Sequence, residues 1–287
     1  MERHTAFDTS HPAVPAAYVA ITLALTMCSL QPVLIALSIA GALAYACRLH
    51  GLPGALGPLR WQLPVIAIVA LANPLFSASG STELFRIGHH AVYLESLCYG
   101  AAMGGMLVAS MAWLRSASEL LGFDKVMALF GNAAPVIALM VSMSMRLIPR
   151  FLRKGRMVLA VQDCIGRSLG ESGADAVRQR LRLSSVLMGW GMEDSLETAD
   201  AMRARGWGGA PRRTTYTRHR FTGADAAALL ALAASGGLVA ALAWVATSQY
   251  EFYPQMSRLA PWWGYIAYGA WMLVPAVLDA RVQRSFG

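Results

Sequence analysis

The chain has 287 residues, of which 56% are hydrophobic and only 14% charged, with a net charge of +8 and a positive mean hydropathy of +0.46. That balance is too apolar for an ordinary water-soluble domain. Stretches near the length of a bilayer crossing alternate with short connections rich in Gly, Pro and Arg, the pattern of an all-α, polytopic integral membrane protein.

In chain order, about six transmembrane helices are expected, at Val14 to Leu30, Pro32 to Cys47, Leu63 to Ser79, Leu94 to Leu114, Ala224 to Thr247 and Pro261 to Leu278. The first follows Met1 to Pro12, which holds two acidic residues against one arginine and lacks the basic start of a signal peptide. It is read as a retained span. Trp262, Trp263 and Tyr265 fall at a helix edge, where amphipathic rings suit the headgroup level; the same rings also suit packing between helices.

Charge is unevenly placed. Arg146 to Arg220 carries 15 of the 24 Lys and Arg and 7 of the 16 Asp and Glu, a net +8, and the rest of the chain is neutral. Basic segments stay in the cytoplasm, so this one is expected there. Arg48 and Arg60 bracket the connection after the second span, Arg115 and Lys125 follow the fourth, and Arg281 and Arg284 lie in the tail, which puts all three on the same side. With an internal N-terminus, four spans return the chain to the cytoplasm near Arg115. Ala133 to Ile148 must then not cross, and its roughly sixteen residues suit an interfacial or protein-buried helix. The alternative is a tilted span with an external N-terminus. Three regions result: residues 1–125 with four membrane helices, a basic region at 126–220 holding the apolar Ala133 to Ile148 segment, and two further membrane helices at 221–287.

The spans hold almost no ionisable residues, with Arg48, Asp225 and Asp279 at their edges. Proton-coupled carriers and intramembrane enzymes need buried acids or histidines, which weakens a stand-alone carrier or a membrane enzyme as readings. The only lysines, Lys125 and Lys154, lie outside any GxxxxGK[ST] phosphate loop, so the chain is not expected to hydrolyse ATP itself. Cys28, Cys47, Cys98 and Cys164 form no CxxC pair, which suggests neither a zinc site nor a disulfide framework. His89 and His90 are adjacent, so their side chains diverge on a helix, and no ligating partner is suitably spaced. HExxH and GxSxG are absent from the sequence. No catalytic residue, metal, cofactor or nucleic-acid partner is expected.

The basic segment is the informative one. Phe151 to Ile165 reads as a short amphipathic helix, Gly166 to Gly173 as a polar, Gly-rich break, and Ala174 to Arg205 as a second helix. In the latter Val177, Leu181, Leu187, Trp190 and Met202 recur at helical spacing, with Glu193, Glu197 and Asp200 along a polar side. Gly189 and Gly191 interrupt it, which suggests either a bend or a close crossing by another helix. At its end Gly206 suits a left-handed terminating position, and Arg205 complements the negative end of the helix dipole. By itself that is a common helix stop.

Four short motifs occur in order: Asn73-Pro-Leu-Phe76, Leu94-Glu-Ser-Leu-Cys-Tyr-Gly100, Arg146-Leu-Ile-Pro-Arg150 and Ala201-Met-Arg-Ala-Arg-Gly206. In order, spacing and hydropathy context the chain resembles the transmembrane T component (EcfT/CbiQ family) of energy-coupling factor transporters, over most of its length. These are ABC-type importers in which the T component joins two cytosolic ABC ATPase subunits to a separate substrate-binding membrane S component. The resemblance implies a multi-pass plasma-membrane protein without catalysis of its own, serving uptake of a vitamin or metal ion that the S component selects.

It also implies site residues. Coupling helices in the family end in Ala-Arg-Gly motifs whose arginines dock on the ATPases, which matches Ala204, Arg205 and Gly206 here. A guanidinium presents a rigid fork of donors and keeps its charge, as a force-bearing anchor requires. The earlier motif is degenerate: Cys164, Ile165 and Gly166 occupy its place, with Arg167 one position later as the substitute. Arg203 stands where the family commonly has an acid. Unequal docking is expected, with Arg205 contributing more than Arg167. The surface beneath the S component would be Ala133 to Ile148, where Met140, Met143 and Met145 offer an adaptable sliding face; lipid contact or core packing suits these methionines equally.

Overall fold

The computed structural model describes residues 11–76, 80–87, 90–130, 134–164, 174–207, 221–253, 256–257 and 261–286. Nine helices and one hairpin appear among them: α1 (Ala13–Cys28), α2 (Pro32–Leu56), α3 (Leu59–Phe76), β1 (Glu83–Ile87), β2 (His90–Tyr93), α4 (Leu94–Leu120), α5 (Phe123–Phe130), α6 (Pro135–Cys164), α7 (Ala174–Ala204), α8 (Gly223–Ser248) and α9 (Gly264–Phe286). The protein is all-α and polytopic in character, as expected. It divides into two compact units, Met1–Val126 with His219–Gly287, and Met127–Arg218.

Four helices, α2, α3, α4 and α8, are long and apolar enough to cross a membrane. The first expected span is the shorter apolar helix α1, with 16 residues. The last is α9, long enough at 23 residues but diluted by Gly264, Tyr265, Tyr268, Gly269 and Asp279. Two elements were not anticipated. One is the antiparallel hairpin pairing Glu83 with Tyr93 and Ile87 with His90; the other is the eight-residue helix α5.

The core of the first unit joins α1, α2, α4, α8 and α9 around buried Tyr18, Tyr45, Trp113, Tyr268, Trp271 and Met272. Polar groups in an apolar surround need internal partners, and the sequence supplies small hydroxyls for them. The Trp113 indole donates to Ser38 Oγ at 3.1 Å, and the Trp271 indole donates to Thr22 Oγ1 at 3.1 Å. Tyr18 donates to the Trp271 carbonyl at 3.0 Å. Thr26 and Ser38 hydroxyls join at 3.0 Å. Of the edge aromatics, Trp262 packs partly buried against this core, whereas Trp263 faces outward at 64% exposure. The packing reading therefore holds for Trp262.

The two edge acids have distinct settings. Asp279 is buried. Asp225 completes a capping box with Thr222 at the start of α8, and its other oxygen accepts the His11 backbone N–H at 3.1 Å. Further along, α3 lies close on α4 because Gly100 and Gly104 leave room. A Cβ on Gly100 would sit 2.9 Å from Ala70 Cα, and one on Gly104 would sit 2.9 Å from Ile66 Cα.

In the second unit, the in-plane segment Ala133 to Ile148 and the amphipathic helix Phe151 to Ile165 are one helix rather than two: α6 runs unbroken for 30 residues with Pro149 inside it. Proline removes one backbone donor and favours a boundary before it, but a single lost bond does not end a helix continued by good helix formers on both sides. The second helix, α7, matches its expected extent to within a residue.

Candidate functional site

The second unit is a helical hairpin. Position numbers fall along α6 as they rise along α7: Gly155 faces Leu187, Phe151 packs on Trp190 with ring centroids 5.4 Å apart, and Arg150 pairs with Asp194 at 3.6 Å. Lys154 lies over the Trp190 ring, 5.1 Å from its centroid, a partly exposed cation–π contact. The ion pair is half-exposed and contributes little to stability, ~1 kcal/mol at most. It fixes register more than it stabilises.

The two glycines of α7 differ. A Cβ on Gly191 would lie 2.5 Å from the Phe151 ring, whereas one on Gly189 would meet nothing within 4 Å. Gly191 is thus the close-crossing position that the sequence suggested as one alternative. Gly189 faces open space, and α7 continues through both.

A groove of about 580 Å³ runs between the helices, lined by Met140, Met143 and Arg150 of α6 and by Asp194, Ala199 and Met202 of α7, among others. It brings two of the three expected methionines together with Met202. Met145 is 45% exposed and falls outside the groove. Asp194 and Met202 were not among the expected site residues. Met202 could have been found from its spacing of three, four and seven from Ala199, Thr198 and Ser195, which share the groove with it.

The end of α7 has a definite geometry. Trp207 N–H donates to the Met202 carbonyl at 3.0 Å and Gly206 N–H to the Arg203 carbonyl at 2.9 Å. Together these bonds form the Schellman arrangement, which requires a left-handed residue at the turn. Gly206 supplies it with φ +72. Ala204, Arg205 and Gly206 are all exposed, and among the described residues Arg205 has no ion-pair partner. Arg203, in contrast, sits 3.8 Å from Asp200 one turn back, both well exposed. The basic residue in the family's acidic place therefore has a local counter-charge. Gly166 and Arg167 lie outside the described residues, as does His89. Among the described residues, no three His, Cys, Asp or Glu side chains gather as metal ligands would.

No family model matches the chain. It is 27% identical over 199 residues to the energy-coupling factor transporter transmembrane protein EcfT of Listeria innocua serovar 6a, across 64% of this chain and 72% of that protein. The chain is similar to EcfT over that stretch. Two of the four short motifs meet in the first unit: Asn73, from the first, donates to the Ser96 carbonyl, from the second. The third and fourth motifs share the groove of the second unit, through Arg150 and Met202.

Proposed function

We propose that the chain is the transmembrane coupling subunit of an energy-coupling factor importer. In this reading two cytosolic ABC ATPases move the α6–α7 hairpin, and the hairpin reorients a separate substrate-binding membrane subunit in the bilayer. The observation that carries it is the end of α7: an Ala-Arg-Gly stop whose glycine takes the left-handed turn and whose arginine is exposed and without an ion-pair partner among the described residues. A guanidinium exposed in this way can enter a carboxylate- or carbonyl-lined groove, to which it offers a planar fork of donors.

Arg205 is the main docking residue, flanked by Ala204 and Gly206, and Arg167 with Gly166 is the weaker second anchor. Met140, Met143 and Met145 form the face toward the substrate-binding subunit, where unbranched, polarizable side chains tolerate sliding. Residues 126–220 are the coupling region and face the cytoplasm, in keeping with their basic charge. The chain performs no chemistry of its own and requires no cofactor. The cargo is a micronutrient, a vitamin or a metal ion, selected by the partner subunit.

The test is co-purification of the tagged chain with candidate ABC ATPases in detergent, wild type against Arg205→Glu. Retention by the wild type and loss by the variant is the expected result. Failure of the wild type to hold any ATPase would return the stand-alone carrier and membrane-enzyme readings.

A further inference from the structure

The corner between α2 and α3 has features that coupling to ATPases leaves unexplained. No Asp or Glu occurs between Asp8 and Glu83, although Arg48 and Arg60 do. At Gly51 the backbone turns to φ +75 and ψ 172, which interrupts α2 and which glycine adopts without steric cost. In the turn that follows, Ala55 is buried while Leu52 and Leu56, four residues apart and so on one side, are 68% and 53% exposed.

The helix that leaves this corner has two unlike faces. Ile66, Val69, Ala70 and Asn73 meet Gly100 and Gly104 of α4. On the opposite side Trp61, Pro64, Ile68, Leu71 and Leu75 form one exposed stripe at alternating spacings of three and four. Both α2 and α3 are long and apolar enough to cross a membrane. The corner joining them therefore sits where hydrocarbon gives way to headgroups. Arg60 lies there with its guanidinium 5.5 Å from the Trp61 ring centroid, and among the described residues it has no ion-pair partner.

We propose that this corner binds an anionic phospholipid. The headgroup phosphate pairs with the Arg60 guanidinium, the Trp61 indole lies at the boundary level that amphipathic rings prefer, and an acyl chain runs along Pro64, Ile68 and Leu71. The charge at Arg60 is complementary to phosphate and an anionic leaflet: the acid that α4 brings to this corner, Glu119, is paired with His50 at 2.6 Å, and Arg60 has no ion-pair partner among the described residues. Leu52 and Leu56 extend the apolar surface around the same corner. The inference rests on α2 and α3 as membrane spans and is independent of any ATPase.

The experiment is native mass spectrometry of the purified full chain, titrated with phosphatidylglycerol or phosphatidylcholine, for wild type and Arg60→Gln. Wild type should retain phosphatidylglycerol in preference, and the variant should lose that preference by about fivefold, the contribution of one basic residue at an anionic surface. A Trp61→Phe variant should show a smaller quenching by brominated-chain phosphatidylglycerol than the wild type, the remainder coming from other exposed tryptophans such as Trp244 and Trp263. Arg60 is exposed and its only described partner is the neighbouring ring, so an unchanged melting temperature is expected to accompany the loss. Equal retention of phosphatidylglycerol by Arg60→Gln overturns the proposal. So does a variant that keeps its lipid but loses a co-purifying ATPase, since the corner would then be a protein-docking surface.

Discussion

The Asn73 side-chain amide on α3 donates to the backbone carbonyl oxygen of Ser96 on α4 at 2.7 Å. Four residues further along α4, Gly100 lies beneath Asn73 and would place a Cβ 2.7 Å from the Asn73 Cβ. One contact thus needs both residues: the amide needs the approach, and the glycine permits it. Gly100→Leu is expected to force the helices apart and to destabilise the membrane unit by about 1–3 kcal/mol, the usual cost of overpacking. Asn73→Leu removes only the hydrogen bond, about 0.6 kcal/mol in a membrane bundle. Thermal unfolding in detergent checks the order; a milder effect from Gly100→Leu would contradict it.

Three glycines of the α7 region are expected to respond differently to alanine. Gly206→Ala forces a side chain into the left-handed region and should cost about 1–2 kcal/mol locally. Since it misdirects Arg205, it should also weaken ATPase association. Gly189→Ala enters open space in a helix interior and should be neutral or stabilising by about 0.5–1 kcal/mol. Gly191→Ala must displace the Phe151 ring, and should disturb the Phe151–Trp190 contact as read by tryptophan fluorescence. Melting curves of the three variants, measured side by side, provide the check.

Docking should be unequal between the two arginines. Arg205→Ala is expected to release most of the co-purifying ATPase, and Arg167→Ala appreciably less, because only the former completes an Ala-Arg-Gly stop. Pull-down yields at matched expression measure this. Comparable losses would show that the degenerate first motif docks as well as the second.

Topology gives a separate prediction. At about 1.5 Å per residue, a 30-residue helix such as α6 is roughly 45 Å long, so its length permits either crossing or lying along the membrane. The basic residues in its second half, Arg150, Arg153, Lys154 and Arg156, favour the cytoplasmic side. Single cysteines at Lys125 and Lys154, in a chain whose four native cysteines are replaced, should both resist an impermeant thiol reagent on intact cells and both react once the cells are permeabilised. Labelling from opposite sides would make the first half of α6 a span.

The long elements were legible in the sequence because apolar length and helix-stop chemistry are local signals. Thus α4, α7 and α8 fall within a few residues of their expected starts, and Gly206 was readable as a left-handed stop. Where the reading failed, a short-range rule competed with the rest of the helix. The break expected between Ile148 and Phe151 is bridged by α6, and Gly51 broke α2 only after the helix had run past its expected end. The hairpin at β1 and β2 was missed because its strands are five and four residues long, and Glu95, which accepts the Thr82 N–H at 3.2 Å, holds its approach from another element. In the candidate site the arginine and the methionines were readable by residue type. That Met140 and Met143 share a groove with Arg150, Asp194 and Met202 depends on how two helices align, which no local pattern encodes.

The His11 N–H bond to Asp225 spans 214 positions of sequence, and the Tyr18 bond to the Trp271 carbonyl spans 253. Both lie within the first unit, which therefore closes without residues 127–218. The hairpin is an excursion from a frame already complete. Such a chain should tolerate being made in two pieces, since a fragment ending near residue 126 and another beginning near 219 have matching surfaces.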